Sequence, residues 1–156
     1  MRDKRFVAEH RGGPLKKEQH RQLIRWAYLC SEHVLNLFGD VIDERIIHAL
    51  DIAKKWEKGE VSVGEARKSS VRILELAREL SNPTSIAVAR SVGHTVATAH
   101  MADHSLGGAL YALKAIKSLG QSIDDEREWQ NSLLPQEIRD LVLENRPIKE
   151  KPFGLL

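Results

Sequence analysis

Three histidines, His94, His100 and His104, lie within eleven residues of one another, with Asp103 beside the last. Neutral imidazole is a common metal ligand, and His100 and His104 are four residues apart. On a continuous helix both rings would leave one face, the spacing at which two imidazoles share a zinc ion. With His94 or Asp103 as a further ligand, the set would form a zinc or iron site in a metal-binding protein or metal-dependent enzyme. The metalloprotease version of the motif needs Glu directly after the first His, and Met101 stands there. The Glu-x-x-His pairs of di-iron bundles do not occur. A helix break near Asp103 would remove the spacing argument. The competing reading then has all three histidines hydrogen-bonded inside a tight helical core, with no cofactor.

Other chemistry has less to stand on. Cys30 lies on the apolar stripe of a helix, which predicts a buried, inert thiol. Ser105 follows His104 but sits in no Gly-x-Ser-x-Gly elbow. Gly107-Gly108 follows no strand and lacks the Gly-Lys-Ser/Thr ending of a phosphate loop, so close helix packing explains it better. Arg67, Lys68 and Arg72 could face phosphates from a helix pair. Acidic residues are interspersed among them and no aromatic-studded groove accompanies them, so a solvated helix face is the simpler reading and nucleic acid is not expected as a partner.

The elements that must position these residues are helical throughout. Apolar residues recur at three- and four-residue steps from Lys16 to Phe38, with Leu23, Ala27, Cys30, Val34 and Leu37 on one face beside Trp26. Asp40 or Asp43 caps a second helix, in which Ile46, Leu50, Ala53 and Trp56 face inward. Ser62 and Glu65 form a capping box for a third, with Ala66, Ser70, Ile73, Ala77 and Leu80 inside. Asn82-Pro83 opens the Ala/Gly-rich central stretch, Ser85–Leu119, whose length predicts a break near Met101–Asp103 with Asp103 capping a helix from His104. Asp124 and Asp125 begin a short helix, and Pro135 opens the last one. Pro147 and Pro152 predict an extended tail docked through Phe153. No strand-like alternation appears. The expectation is an all-α, single-domain bundle of six or seven helices around the central His-bearing segment: a basic, flexible or extended arm at 1–14, the helical domain at 15–146 and the tail at 147–156.

Composition agrees. The 156 residues are 29% charged and 42% hydrophobic, with one cysteine, so no internal disulfide can form. The charged start, MRDKRFVAEH, has no apolar core of a signal peptide and no run reaches a membrane span, so a soluble cytoplasmic protein is expected. The net charge of +2 conceals an asymmetry. Met1–Arg25 holds eight Lys/Arg against three Asp/Glu, whereas Asp124–Arg146 holds seven acidic residues against three Arg. Two unrelated solvated faces would account for that difference.

Three stretches carry a resemblance: EVSVGEARKSS (60–70), ARSVGHTVATAHMADHSLGGALYALKA (89–115) and EREWQNSLLPQEIRDLV (126–142). Together they resemble the all-helical, immunity-five-like family of immunity proteins from bacterial polymorphic toxin systems, over most of the chain from about Gln19 onward. The resemblance implies a cytosolic protein that binds and neutralises a cognate protein toxin and has no enzymatic activity of its own. It carries over no catalytic residue. Immunity proteins against nucleases often present acid to a basic groove. This chain has a pI near 8.7, so an acidic patch would have to be local. Glu126, Glu128, Glu137 and Asp140 are its candidates, with Trp129 as the aromatic anchor. A small-residue helix can also pack across a dimer, so a homodimer is a further expectation.

Overall fold

The computed structural model describes residues 2–156. Seven α-helices follow one another: α1 (Lys17–His33), α2 (Glu44–Glu57), α3 (Val63–Glu79), α4 (Pro83–Ala97), α5 (His104–Ser118), α6 (Asp124–Ser132) and α7 (Gln136–Glu150). Among the described residues there is no strand, only an isolated bridge between Ala8 and Leu15. No helix of the described chain is long and apolar enough to cross a membrane.

Helices start where side chains satisfy the free backbone N–H groups of a first turn. Asp43 accepts from Arg45 N–H and Ser62 from Glu65 N–H. Asn82 accepts from both Thr84 and Ser85, with Pro83 at the first helical position. The central stretch breaks where expected, between Ala97 and His104. Asp103 stands at the cap of α5 but makes no capping bond. On α3 the buried stripe is Ala66, Ser69, Ile73, Leu76 and Ala77, so Ser69 rather than Ser70 faces in.

Two apolar cores share α1. Leu23, Trp26 and Cys30 pack with Leu106 and Ala109 of α5 and with Ile138 and Val142 of α7. Ile24 turns the other way, to Ile46 and Leu50 of α2, Ile73 of α3 and Val92 and Val96 of α4. α4 also serves both, with Ala87 and Val88 in the first core and Ala89, Val92 and Val96 in the second, and it carries His94 as α5 carries His104.

Both termini differ from the sequence expectation. Residues 2–15 are not a loose arm. They form 3₁₀ turns at Lys4–Phe6 and Glu9–Arg11 and fold back, with Glu9 N–H on Leu15 O at 2.9 Å and Leu15 N–H on Val7 O at 3.0 Å. Phe6 and Leu15 enter the α1–α5–α7 core, and burying a side chain of that size contributes about 1.5–3 kcal/mol, enough to hold a short segment down. At the other end, α7 continues through Pro147. Pro147 is on the exposed side of α7, and its missing N–H removes one backbone bond of the helix without ending it. The tail then docks through Leu155, which is buried, while Phe153 stays partly exposed against Tyr111.

Candidate functional site

The histidines owe their positions to an unusually close approach of α4 and α5. A Cβ at Gly108 would lie 2.7 Å from Thr95 Oγ1 and 3.0 Å from Ala27 Cβ. One at Gly107 would lie 2.3 Å from His94 Nδ1. Only glycine leaves that room, as the Gly107-Gly108 pair predicted. Buried hydroxyls then tie α1, α4 and α5 together. Ser31 Oγ meets Ser91 Oγ at 2.8 Å and Thr95 Oγ1 at 2.7 Å, and Ser91 donates to Gly108 O at 2.6 Å. His20 is likewise structural: buried, it donates Nε2–H to Thr98 O at 2.6 Å and packs against Trp56.

Because the chain breaks at residues 98–103, His100 and His104 are not on one continuous helix and the i, i+4 argument does not apply. The fold gathers the three rings by another route. His94 Nδ1 and His104 Nδ1 face each other at 3.2 Å, so one donates and the other accepts. The His100 and His104 ring centroids are 5.5 Å apart, and His100 Nδ1 is buried without any hydrogen-bond partner. All three line a cleft of about 480 Å³ between α3, α4 and α5. Its floor is apolar, from Ile73, Leu74, Ala77 and Ala97, and its far wall holds Arg90 and Tyr111.

The electrostatics there run against positive charge. Burial, then His104, then Arg90 push the His94 pKa down to about 4. His100 and His104 are shifted down as well, chiefly by burial. Lys114 is lowered by burial and by Arg90. Asp103, expected as a metal ligand beside the histidines, instead faces Arg2, with Oδ1 3.3 Å from Nε. That contact has ion-pair range but not hydrogen-bond alignment, since neither atom has a hydrogen-bond partner. No group of three or more His, Cys, Asp or Glu among the described residues is arranged to hold a metal ion. The residues expected as ligands, His94, His100, Asp103 and His104, are thus neighbours that do not converge on one point.

The second candidate is the outer surface of α6 and α7. Trp129 is half-buried and stacks on His33, with ring centroids 3.7 Å apart. Glu126 is drawn into the same stack, its carboxylate 2.6 Å from His33 Nδ1. Glu137 is exposed and accepts from Gln22 at 3.2 Å. Glu128 and Asp140 are exposed and make no ion pair among the described residues. The charge asymmetry of the sequence is partly internal pairing. Arg5 of the basic start meets Glu144 of α7 at 2.6 Å, and Asp3 accepts from Asn145 at 3.0 Å. What remains exposed and without an ion pair is Glu128 on α6 and Asp140 on α7.

The other chemistry-bearing residues fall as read. Cys30 is buried, and burial pushes its thiol far up, so it is not a thiolate at neutral pH. Ser105 Oγ is spent on Ala102 O at 2.7 Å. Arg67, Lys68 and Arg72 rim an open groove of about 680 Å³ over α2 and α3 whose lining includes no Phe, Tyr or Trp.

Two groups escaped the sequence reading. Arg90 and Tyr111 complete the histidine cleft, and Lys114 lies against the Tyr111 ring. Their signal was present in the spacing, since Arg90 precedes His94 by four residues and Tyr111 and Lys114 follow His104 by seven and ten. Arg146 and Glu150 form a buried pair at 2.6 Å, both nearly inaccessible. Their i, i+4 spacing lay in plain view, but Pro147 between them read as a helix end.

Residues 13–137 match the family model described as "Imm-5 like putative immunity protein". Among curated proteins and among solved structures, none matches the chain.

Proposed function

The chain belongs to the Imm-5-like putative immunity proteins, and from that premise we propose that it is a non-enzymatic protein that binds and neutralises a cognate toxin of a bacterial polymorphic toxin system. The observation that carries the proposal is the extent of the family match, which takes in α1 to α6 and with them both the glycine seam and Trp129. The surface around Trp129 suits such a role. A large ring held rigid by stacking on His33 needs little ordering on binding, and aromatic anchors of that kind dominate protein interfaces. Glu128 on α6 and Asp140 on α7, exposed and without an ion pair, would steer a basic partner.

Co-expression with a toxin domain encoded near this chain's gene, where the genome holds one, or with a panel of polymorphic-toxin domains tests the proposal. The expected result is survival of the bacterial host and a complex stable through gel filtration. Trp129→Ala should weaken that complex by about 2 kcal/mol, and Glu128→Lys with Asp140→Lys should mainly slow association. A toxin that stays fully active, with no complex formed, would remove this reading.

A further inference from the structure

The cleft between α3, α4 and α5 holds more positive and proton-bearing nitrogen than it has partners for. Arg90 and Lys114 flank Tyr111, with the Arg90 guanidinium carbon 5.9 Å and the Lys114 ammonium 5.4 Å from the ring centroid. Lys149 lines an adjoining hollow of about 220 Å³ that shares His94, His104 and Tyr111 with the cleft. None of these three cations is in an ion pair among the described residues, and Asp103, the carboxylate that lines the adjoining hollow, faces Arg2. Cation–π contact with Tyr111 offsets part of the repulsion between Arg90 and Lys114 but supplies no counter-charge. His100 Nδ1, buried and unbonded, adds a polar atom that a folded protein normally satisfies.

A metal ion would fit the His94–His104 pair by distance alone, since ligand nitrogens around a tetrahedral zinc stand about 3.3 Å apart. The surrounding charge opposes it, because a divalent cation would enter among Arg90, Lys114 and Lys149 with no acid free to compensate. An anion meets the opposite situation. It would pair with Arg90, accept from Tyr111 and from an imidazole N–H, feel the Lys114 charge from beside the Tyr111 ring, and give the cluster the negative charge it lacks. The floor of Ile73, Leu74, Ala77 and Ala97 is uncharged and apolar, which suits a hydrocarbon body behind the charged group.

We propose that this cleft is a binding site for a small organic anion, an acidic oxygen group carried on an apolar body, with Arg90 and Tyr111 of its lining holding the charge, Lys114 adding positive potential from beside the Tyr111 ring, and His94 and His104 adjusting their shared proton to it. The proposal does not depend on toxin neutralisation, since it concerns a different surface from that around Trp129.

The probes are phenyl phosphate and benzoate, with inorganic phosphate, benzyl alcohol and zinc chloride as contrasts, followed by imidazole ring resonances in NMR titrations near pH 6.5. The expected result is saturable movement of the His94 and His104 signals with phenyl phosphate or benzoate by about 10 mM, with the stronger of the two defining the acidic group. Arg90→Gln should weaken that binding about tenfold and Lys114→Gln about threefold, each leaving the spectrum of the free protein folded. Binding of inorganic phosphate as tightly as phenyl phosphate, or an equal response to benzyl alcohol, would overturn the proposal. So would zinc binding that His94→Ala abolishes, or silence with both organic anions.

Discussion

Two polar clusters flank α5, one against α6 and α7 and the other against α3 and α4. In the first, every strong group has a complement. Glu150 accepts from Arg146 at 2.6 Å and from Arg127 at 3.0 Å. Arg146 also donates to Gln130 Oε1 at 2.7 Å and to Asn131 Oδ1 at 2.9 Å, and lies over the Trp26 ring. Gln130 donates onward to Ala109 O, its own carbonyl takes the Trp26 indole N–H, and Arg127 holds Leu155 O. In the second cluster, cations adjoin cations, two imidazoles share one proton, and one ring nitrogen has nothing to bond. A satisfied buried network fixes a structure, and here it fastens the C-terminal tail and α6 to the bundle. A frustrated one carries a standing cost that packing elsewhere must cover, which is the usual mark of a site kept for a ligand.

The sharpest way to break this contrast is Glu150→Ala. It leaves Arg146 buried without its counter-ion, so unfolding in urea should show a loss of about 3–5 kcal/mol. A cost below about 1 kcal/mol would mean that the clamp is no clamp.

Acid should act on the other cluster next. His94 is neutral in the folded protein down to about pH 4 but titrates near 6.5 when unfolded. The unfolded chain therefore binds the proton first, so stability is complete above pH 6.5 and falls as pH drops towards 4. The His94 shift alone is worth roughly 3 kcal/mol across that window. His20, His100 and His104 move in the same direction. Denaturation midpoints measured from pH 7.5 to 4.5 check this, and His94→Gln should flatten the slope.

Gly108→Ala tests the seam that brings the rings together. The added methyl meets Thr95 Oγ1 and Ala27, and should cost about 1–3 kcal/mol, reduced by up to about 1 kcal/mol of improved helix propensity. A stabilised variant would show that the helices have slack. The smallest effect carries the clearest contrast. Arg90→Gln should change thermal stability by no more than about 0.5 kcal/mol, or raise it, because it removes a cation from beside a cation. A loss comparable to that of Glu150→Ala would erase the distinction between the two clusters.

Much of the fold was legible in the chain because helix signals are local. Asn82-Pro83, Asp43 and Ser62 satisfy backbone groups two or three residues away, so they mark their helices without any knowledge of the rest. The break ahead of His104 follows from length, and Gly107-Gly108 announced a close helix contact without naming the partner. The candidate site was legible only in its histidines. Their i, i+4 relation was the wrong reason to group them, and they meet because α4 and α5 fold back on each other.

By itself, then, the sequence determined the helical class, the helix starts and the residues too small to keep α4 and α5 apart. Tertiary structure alone decided which charges meet. It put Asp103 on Arg2 rather than beside a metal, Arg5 on Glu144 rather than in solvent, and Arg146 with Glu150 in the interior. It also drew Phe6 and Leu155 into cores that their terminal positions did not suggest. The physical reason is range: caps and periodicity act within a turn or two, whereas burial and ion pairing depend on what the opposite helix presents.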